Sequence, residues 1–211
     1  MTRTKQGHAH RVMTASTTNV RATPKEIYDF LDGQMHFTID VCANEQNYKH
    51  PRYFSEKDNG LAQSWEGETF FCNPPYGRQI GGWIAKARDS AIYDSAMGTL
   101  LVPARVDTDW WRVGVLQERT WDRKDAQHAA GRLRDSRFDD RNQVWWLRFE
   151  RLVVGIHYWD ERIAFDGMES GAPFPAAFVF MGPPGYRPGR PRLPSSLPDR
   201  REWPMLVEGW P

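Results

Sequence analysis

The segment Asn73-Pro74-Pro75-Tyr76 constrains the fold more than any other part of this 211-residue chain. It follows the apolar run Thr69–Cys72, which predicts a buried strand, and it precedes Gly77 and apolar residues at helical spacing. Two consecutive prolines cannot continue a central strand, so the strand must end at Asn73. The pattern predicts a strand, a loop and a helix, with the loop at the carboxyl edge of an α/β sheet, where such folds bind ligands.

The loop residues suit the methylation of a planar amine. The side-chain carbonyl of Asn73 and the main-chain carbonyl of Pro74 can accept the two hydrogens of such an amine, which frees its lone pair to turn toward a methyl donor. Positive charge grows on the nitrogen during transfer, so fixed acceptors stabilise the transition state more than the ground state. Pro74 and Pro75 hold the acceptors in place beforehand, and Tyr76 offers a flat face for stacking. An ordinary Asn-Pro turn with a packed tyrosine is the alternative that these residues leave open.

Five segments occur in a fixed order: Thr23-Pro24, Asp40-Val41-Cys42-Ala43, Asp58-Asn59-Gly60-Leu61, Phe71 to Gly77, and Leu101 to Thr108. On these segments it resembles the phage-type DNA N6-adenine methyltransferase (Dam) family, and the resemblance runs from about Thr23 to Phe180, which is most of the chain. The resemblance implies S-adenosylmethionine as cofactor and adenine, flipped out of double-stranded DNA, as substrate. It also implies a Rossmann-like α/β fold, with a mostly parallel twisted sheet and helices on both faces. Protection of phage DNA from host restriction is a further expectation from the resemblance.

The same resemblance predicts which residues bind the cofactor. No Gly-x-Gly follows the first strand, so Ala43 stands where methyltransferases usually have glycine. Three of the assignments have local alternatives: Thr23 as the N-cap of a helix that continues with Pro24 and Glu26, Asp40 as a strand end, and Asp58 as part of an ordinary turn. The full predicted set is Thr23, Pro24, Asp40, Cys42, Ala43, Asp58, Leu61 and Asn73.

Residues for DNA contact are predicted at two places. Arg105, Asp107, Thr108 and Trp110 follow the strand pattern that ends at Pro103, although Arg105 and Asp107 could also form a simple internal ion pair. Residues 112–143 are polar and rich in arginine, which suits either a target-recognition insertion or a solvated helical face. The arginines predicted to contact DNA there are Arg132 and Arg134.

Charge and composition predict one domain with two tails. Residues 1–22 form a basic arm expected to be flexible, residues 23–182 the methyltransferase domain, and residues 183–211 a tail rich in proline and arginine. Residues 1–25 carry +5 and residues 187–211 carry +2, which leaves −6 for the rest of a chain whose net charge is +1. DNA affinity therefore requires local basic patches or the tails.

The sequence contains no pattern for a membrane span, a signal peptide or a metal site. No apolar run approaches about 18 residues, so a cytoplasmic location is expected, in the host cytoplasm if the protein is encoded by a phage. Cys42 and Cys72 lack the spacing of metal ligands. The oligomeric state stays open. So do three rival functions: a protein-glutamine methyltransferase, a cytosine-N4 methyltransferase, and a non-catalytic DNA-binding protein on a degenerate methyltransferase fold.

Overall fold

A seven-stranded mixed sheet and two α-helices form the core of the chain. The structure is a computed structural model that describes residues 21–118, 130–140, 143–168 and 170–185. The spatial order of the strands is β1-β2-β3-β7-β6-β5-β4. The elements are α1 (Lys25–Met35), β1 (Ile39–Asp40), β2 (Thr69–Cys72), α2 (Ile80–Tyr93), β3 (Met97–Pro103), a π-helix (Trp110–Val115), β4 (Leu133–Asp139), β5 (Val144–Phe149), β6 (Val153–Tyr158) and β7 (Ala176–Gly182).

The prediction of a mostly parallel sheet is wrong for this part of the chain. Strands β1, β2 and β3 are parallel, but the pairs β3–β7, β7–β6, β6–β5 and β5–β4 are all antiparallel. For the pairs β5–β4 and β6–β5 the cause is the length of the connections. Only residues 140–143 join β4 to β5 and residues 150–152 join β5 to β6, whereas a parallel crossover needs a dozen residues or more.

The two helices cover opposite faces of the sheet, as predicted. Side chains alternate between the faces along each strand, so Phe70 and Leu100 belong to the buried cluster that contains α2. Their neighbours Phe71 and Leu101 belong to the cluster that contains α1. The molecule is therefore a three-layer α/β structure in which the parallel strands β1, β2 and β3 lie between α1 and α2.

Several local predictions can be compared with the observed elements. The strand Thr69–Cys72 and the helix that begins at Ile80 are confirmed. The prediction of Thr23 as the N-cap of a helix is wrong. Helix α1 begins at Lys25, and its N-cap residue, Pro24, makes no side-chain capping hydrogen bond. Residues 133–139 form the edge strand β4 rather than a helical face, and Asp166 forms a single antiparallel bridge with Ala22.

The predicted tails lie almost wholly outside the described residues. The structure describes only residues 21 and 22 of the predicted arm, residues 183–185 of the predicted tail, and residues 112–118, 130–140 and 143 of the predicted insertion. None of the described helices is long and apolar enough to cross a membrane.

Candidate active site

The carboxyl ends of the three parallel strands meet at one edge of the sheet. Here β1 leads into Cys42, β2 into Asn73 and β3 into Arg105. Residues 52–54 add a short parallel segment beside β1: the amide of Asp40 donates to the carbonyl of Arg52 at 3.0 Å, and the amide of Phe54 donates to that of Asp40 at 2.9 Å. The chain that follows, from Ser55, is thereby brought to the same edge.

The larger of two cavities at this edge has a volume of about 430 Å³. This is within the range of sites that enclose a cofactor-sized molecule. Four of the predicted cofactor residues line it: Cys42, Ala43, Leu61 and Asn73. Pro75 of the predicted motif also lines it, and the remaining lining residues were not singled out as ligands by the sequence: Asn44, Phe54, Ser55, Glu56, Asn59, Gly60, Gln79 and Trp83.

Gly60 allows the wall of the larger cavity to approach β1. A Cβ atom at this position would lie 2.3 Å from the main-chain oxygen of Val41, closer than any real contact. The carbonyl of Gly60 also accepts a hydrogen bond of 2.9 Å from the buried indole of Trp65. Only glycine permits this approach. The Asp58-Asn59-Gly60-Leu61 segment therefore packs closely against β1 in addition to lining the cavity.

Asp40 forms hydrogen bonds with the backbone of the segment that follows β1, part of which lines the larger cavity. Its carboxylate accepts from the amide of Cys42 at 3.3 Å and from that of Lys49 at 3.1 Å. The side chain is buried, and the resulting desolvation raises its pKa to about 6 although the two amides oppose the shift. Asp40 is not among the lining residues. The structure therefore gives it a role in holding the backbone at Cys42, whereas the sequence predicted a ligand.

Asn73 is fixed by the chain that precedes α1. Its side-chain nitrogen donates to the main-chain oxygen of Arg21 at 2.5 Å and to the hydroxyl of Thr23 at 3.0 Å. A main-chain oxygen can only accept, so these bonds determine which end of the amide is nitrogen. Within the described residues, the side-chain oxygen of Asn73 and the main-chain oxygen of Pro74 accept no hydrogen bond. Two adjacent acceptors are thus available to a ligand.

Thr23 and Pro24 lie behind the loop and not in the larger cavity. The hydroxyl of Thr23 is engaged with Asn73, and the residue is 1% exposed. The carbonyl of Pro24 accepts the amide of Tyr28 in the first turn of α1. The structure thus brings Thr23 to the loop of residues 73–77, while the sequence predicted that it contacts the cofactor.

Tyr76, at the end of the same loop, is held by contacts with β3 and with two phenylalanine rings. Its hydroxyl donates to the main-chain oxygen of Leu101 at 3.2 Å, and burial raises its pKa above the usual range, so the phenol stays neutral. Its ring packs edge-on against Phe174, with ring centroids 5.4 Å apart, and against Phe165 at 6.0 Å. The tyrosine is therefore held rigidly at the loop.

The smaller cavity, of about 260 Å³, opens beside Tyr76. It contains Arg105 and Trp110 from the predicted DNA-contacting set, and the sequence did not predict the role of Arg21 and Phe174. The remaining lining residues are Gly77, Ile80 and Pro103. Residues 73–77 form a wall of both cavities, because Asn73 and Pro75 face the larger one while Tyr76 and Gly77 face the smaller one.

Other predicted residues lie outside both cavities. The carboxylate of Asp58 is exposed and accepts from the amide and hydroxyl of Ser55. Asp107 is exposed, and the hydroxyl of Thr108 donates to the carbonyl of Arg105 at 2.7 Å. Neither Asp58, Asp107 nor Thr108 lines a cavity at this edge.

Arg132 and Arg134 are remote from the loop. They lie at the start of β4, and the register through β5, β6 and β7 places the start of β4 level with the start of β3. The loop of residues 73–77 follows β2, which is five strand spacings from β4 in the sheet, roughly 24 Å at about 4.8 Å per spacing. Arg134 is paired with Glu150 at 2.7 Å. The structure does not bring these two arginines together with the candidate site.

Comparison with known proteins identifies the family of the chain. The family model described as DNA N-6-adenine-methyltransferase (Dam) matches residues 12–120, about half of the chain. The chain belongs to this family. The match includes both parallel crossovers and the loop of residues 73–77, whereas β4 to β7 lie beyond it.

Two curated phage proteins are similar to this Dam-family chain. A DNA N-6-adenine-methyltransferase of Haemophilus phage HP1 is 24% identical over 92 residues, which cover 43% of the chain and 53% of that relative. A protein of the same description from Escherichia phage T1 is 28% identical over 92 residues, 43% of the chain and 38% of that relative. The chain thus matches about half of the first relative's length and less of the second's.

Proposed function

We propose that this Dam-family chain transfers a methyl group from S-adenosylmethionine to N6 of adenine in DNA. In this proposal the cofactor occupies the larger cavity and an adenine extruded from the duplex occupies the smaller one. The observation that carries the proposal is the pair of available acceptors, the side-chain oxygen of Asn73 and the main-chain oxygen of Pro74, in the loop between the cavities. Family membership supports adenine as the target.

The loop is suited to activate an exocyclic amine. The lone pair of such an amine is delocalised into the ring, so the free amine is a weak nucleophile. When Asn73 and Pro74 accept its two hydrogens, the nitrogen can become pyramidal and direct its lone pair toward the larger cavity. The acceptors are already fixed by Arg21, Thr23 and the proline backbone, so little reorganisation is needed as positive charge develops on the nitrogen.

The residues of the larger cavity fit S-adenosylmethionine, whose sulfonium supplies an electrophilic methyl group when it is bound. Trp83 lines this cavity and contributes an aromatic surface to its wall. Glu56 adds an exposed carboxylate able to accept from ribose hydroxyls. The backbone at Cys42 and Ala43 and the side chain of Leu61 would complete the contacts. Ala43 therefore lies at a cavity wall despite the missing Gly-x-Gly.

The smaller cavity provides the surfaces that a nucleobase requires. The rings of Tyr76 and Trp110 offer faces or edges for a purine, and stacking contributes about 1–3 kcal/mol per base. Extrusion of a base costs a few kcal/mol, which stacking and the two amine hydrogen bonds offset. No strongly basic residue is required, because the methylated amine can lose its proton after transfer.

Transfer of tritiated methyl from S-adenosylmethionine to unmethylated DNA, followed by digestion to nucleosides, tests the proposal. Label in N6-methyladenine is expected. Asn73→Ala should remove it, and Asn73→Asp, which keeps an acceptor oxygen but loses the donor to Arg21 and Thr23, should retain a reduced rate. Label in N4-methylcytosine or in protein would assign the chain to a rival methyltransferase class. Absence of both label and cofactor binding would indicate a non-catalytic protein.

A further inference from the structure

Arg21 is a half-buried cation without a carboxylate partner among the described residues. Its Nη1 atom donates to the sulfur of Met168 at 2.9 Å, and its guanidinium lies 5.3 Å from the ring centre of Phe174 and 5.9 Å from that of Phe165. The nearby Asp166 is engaged by Lys49 at 3.2 Å. The rings and the sulfur therefore hold the head group in place without neutralising its charge.

The charge of Arg21 lies at the smaller cavity. Arg21 lines the smaller cavity together with Arg105, which also forms no ion pair with any described residue, and with the rings of Tyr76 and Trp110. Flat aromatic surfaces suit a base, and guanidinium groups suit a phosphate oxygen. One small cavity thus combines the two chemistries found in a nucleotide.

Arg21 is also connected to the catalytic loop. Its main-chain oxygen accepts the side-chain nitrogen of Asn73 at 2.5 Å. A phosphate held by the guanidinium would therefore be placed at a fixed distance from the acceptor oxygen of Asn73. Because the head group is already ordered by Met168, Phe165 and Phe174, binding would immobilise few additional bonds.

We infer that Arg21 binds the DNA phosphate adjacent to the extruded adenosine and so positions that nucleotide in the smaller cavity. The inference rests on the proposed function, because it requires a DNA strand at this edge. It goes beyond that function by assigning a specific phosphate contact to Arg21, which the charge pattern included only as one of the basic residues of the arm.

The test compares Arg21→Gln, Arg21→Lys and a control, Arg52→Gln. The side chain of Arg52 is 61% exposed and pairs with Glu68 at the opposite end of the strands, so its substitution removes a charge away from the cavity. The probe is an unmethylated DNA fragment to which the wild type transfers methyl. Affinity is measured by fluorescence anisotropy over a series of salt concentrations, and cofactor affinity by calorimetry.

Loss of one phosphate contact reduces the slope of log affinity against log salt by about one. We expect this reduction for Arg21→Gln, a nearly normal slope for Arg21→Lys, and no change for Arg52→Gln. All variants should bind S-adenosylmethionine like the wild type. A wild-type slope in folded Arg21→Gln protein would overturn the inference while leaving the proposed function intact. If the wild type neither binds nor methylates DNA, both fail.

A second measurement covers the case in which Arg21→Gln does not fold. A neutral methylphosphonate is placed in turn at each phosphate around the methylated adenine. The wild type should lose affinity most when the phosphate next to the target is replaced. The compact ammonium of Arg21→Lys is not held by the rings, so the loss of affinity of this variant should differ from that of the wild type at that position only. An equal response of both proteins at every phosphate would contradict the assignment.

Discussion

Replacing Thr23 by valine is expected to lower the rate of methyl transfer without weakening cofactor binding. The hydroxyl of Thr23 accepts one of the two hydrogen bonds that orient the side chain of Asn73, at 3.0 Å, and it is 1% exposed. Valine has nearly the same shape, so the packing survives while this acceptor is lost. The carbonyl of Arg21 still holds the amide at one point.

The size of the effect follows from the strength of that bond. A neutral buried hydrogen bond contributes about 1 kcal/mol, which corresponds to about a fivefold fall in kcat if the bond serves only to aim Asn73. Thr23→Ser keeps the hydroxyl and should stay close to the wild-type rate. The assay is single-turnover methyl transfer with cofactor and DNA both saturating, and calorimetry gives the affinity for S-adenosylmethionine.

The outcome decides between the structure and the sequence pattern. If Thr23 contacts the cofactor, as the pattern predicted, Thr23→Val raises the Kd for S-adenosylmethionine and leaves the saturated rate unchanged. That result would refute the positioning role. Equal losses in Thr23→Ser and Thr23→Val would refute it too, because the hydroxyl would then not be the relevant group.

Three further substitutions test other parts of the site. Burial keeps Asp40 protonated to higher pH in the folded chain than in the unfolded one, so the free energy of unfolding in urea should fall by about 3 kcal/mol as pH rises from about 4 to about 6. Asp40→Asn should flatten this dependence. Parallel curves of unfolding free energy against pH for the variant and the wild type would contradict the prediction. Gly60→Ala, whose Cβ would meet the carbonyl of Val41, should cost about 1–3 kcal/mol in chemical denaturation. The control Gly33→Ala, which meets no atom within 4 Å in helix α1, should instead stabilise by about 0.5–1 kcal/mol. Trp110→Ala should raise the KM for DNA about fivefold or more, and Trp110→Phe should restore most of it; unchanged KM in the alanine variant would remove Trp110 from the base site.

The part of the fold that the sequence predicted well is local. The apolar run before Asn73 and the helical spacing after Ile80 each determine an element through neighbouring residues. Strand β4 was missed because it lies at the edge of the sheet and only one of its seven residues is buried, so it has no alternation of apolar and polar side chains. The antiparallel half was missed because its pairing depends on short connections within segments that looked like separate strands.

The candidate site shows the same division. Asn73 and Pro75 were identified from a contiguous motif, and both line the larger cavity. Glu56 was not, because it reaches the edge only when residues 52–54 pair beside β1, a contact that no local pattern indicates. Arg21 is 147 residues from Met168 in sequence, so its environment depends on the complete fold.

Residues outside the loop of residues 73–77 determine how the side chain of Asn73 is oriented. The prolines fix the backbone of residues 74 and 75, but they do not determine which end of the Asn73 amide faces the ligand. That choice is made by Arg21 and Thr23, since reversing the amide would direct its oxygen toward a carbonyl and forfeit at least one hydrogen bond. At about 1 kcal/mol for each bond, the reversed orientation is populated at roughly 15 per cent if one bond is lost and at roughly 3 per cent if both are lost. The chain before α1 therefore keeps the acceptor oxygen directed away from itself before any substrate binds, which is the preorganisation that methyl transfer to a weak nucleophile requires.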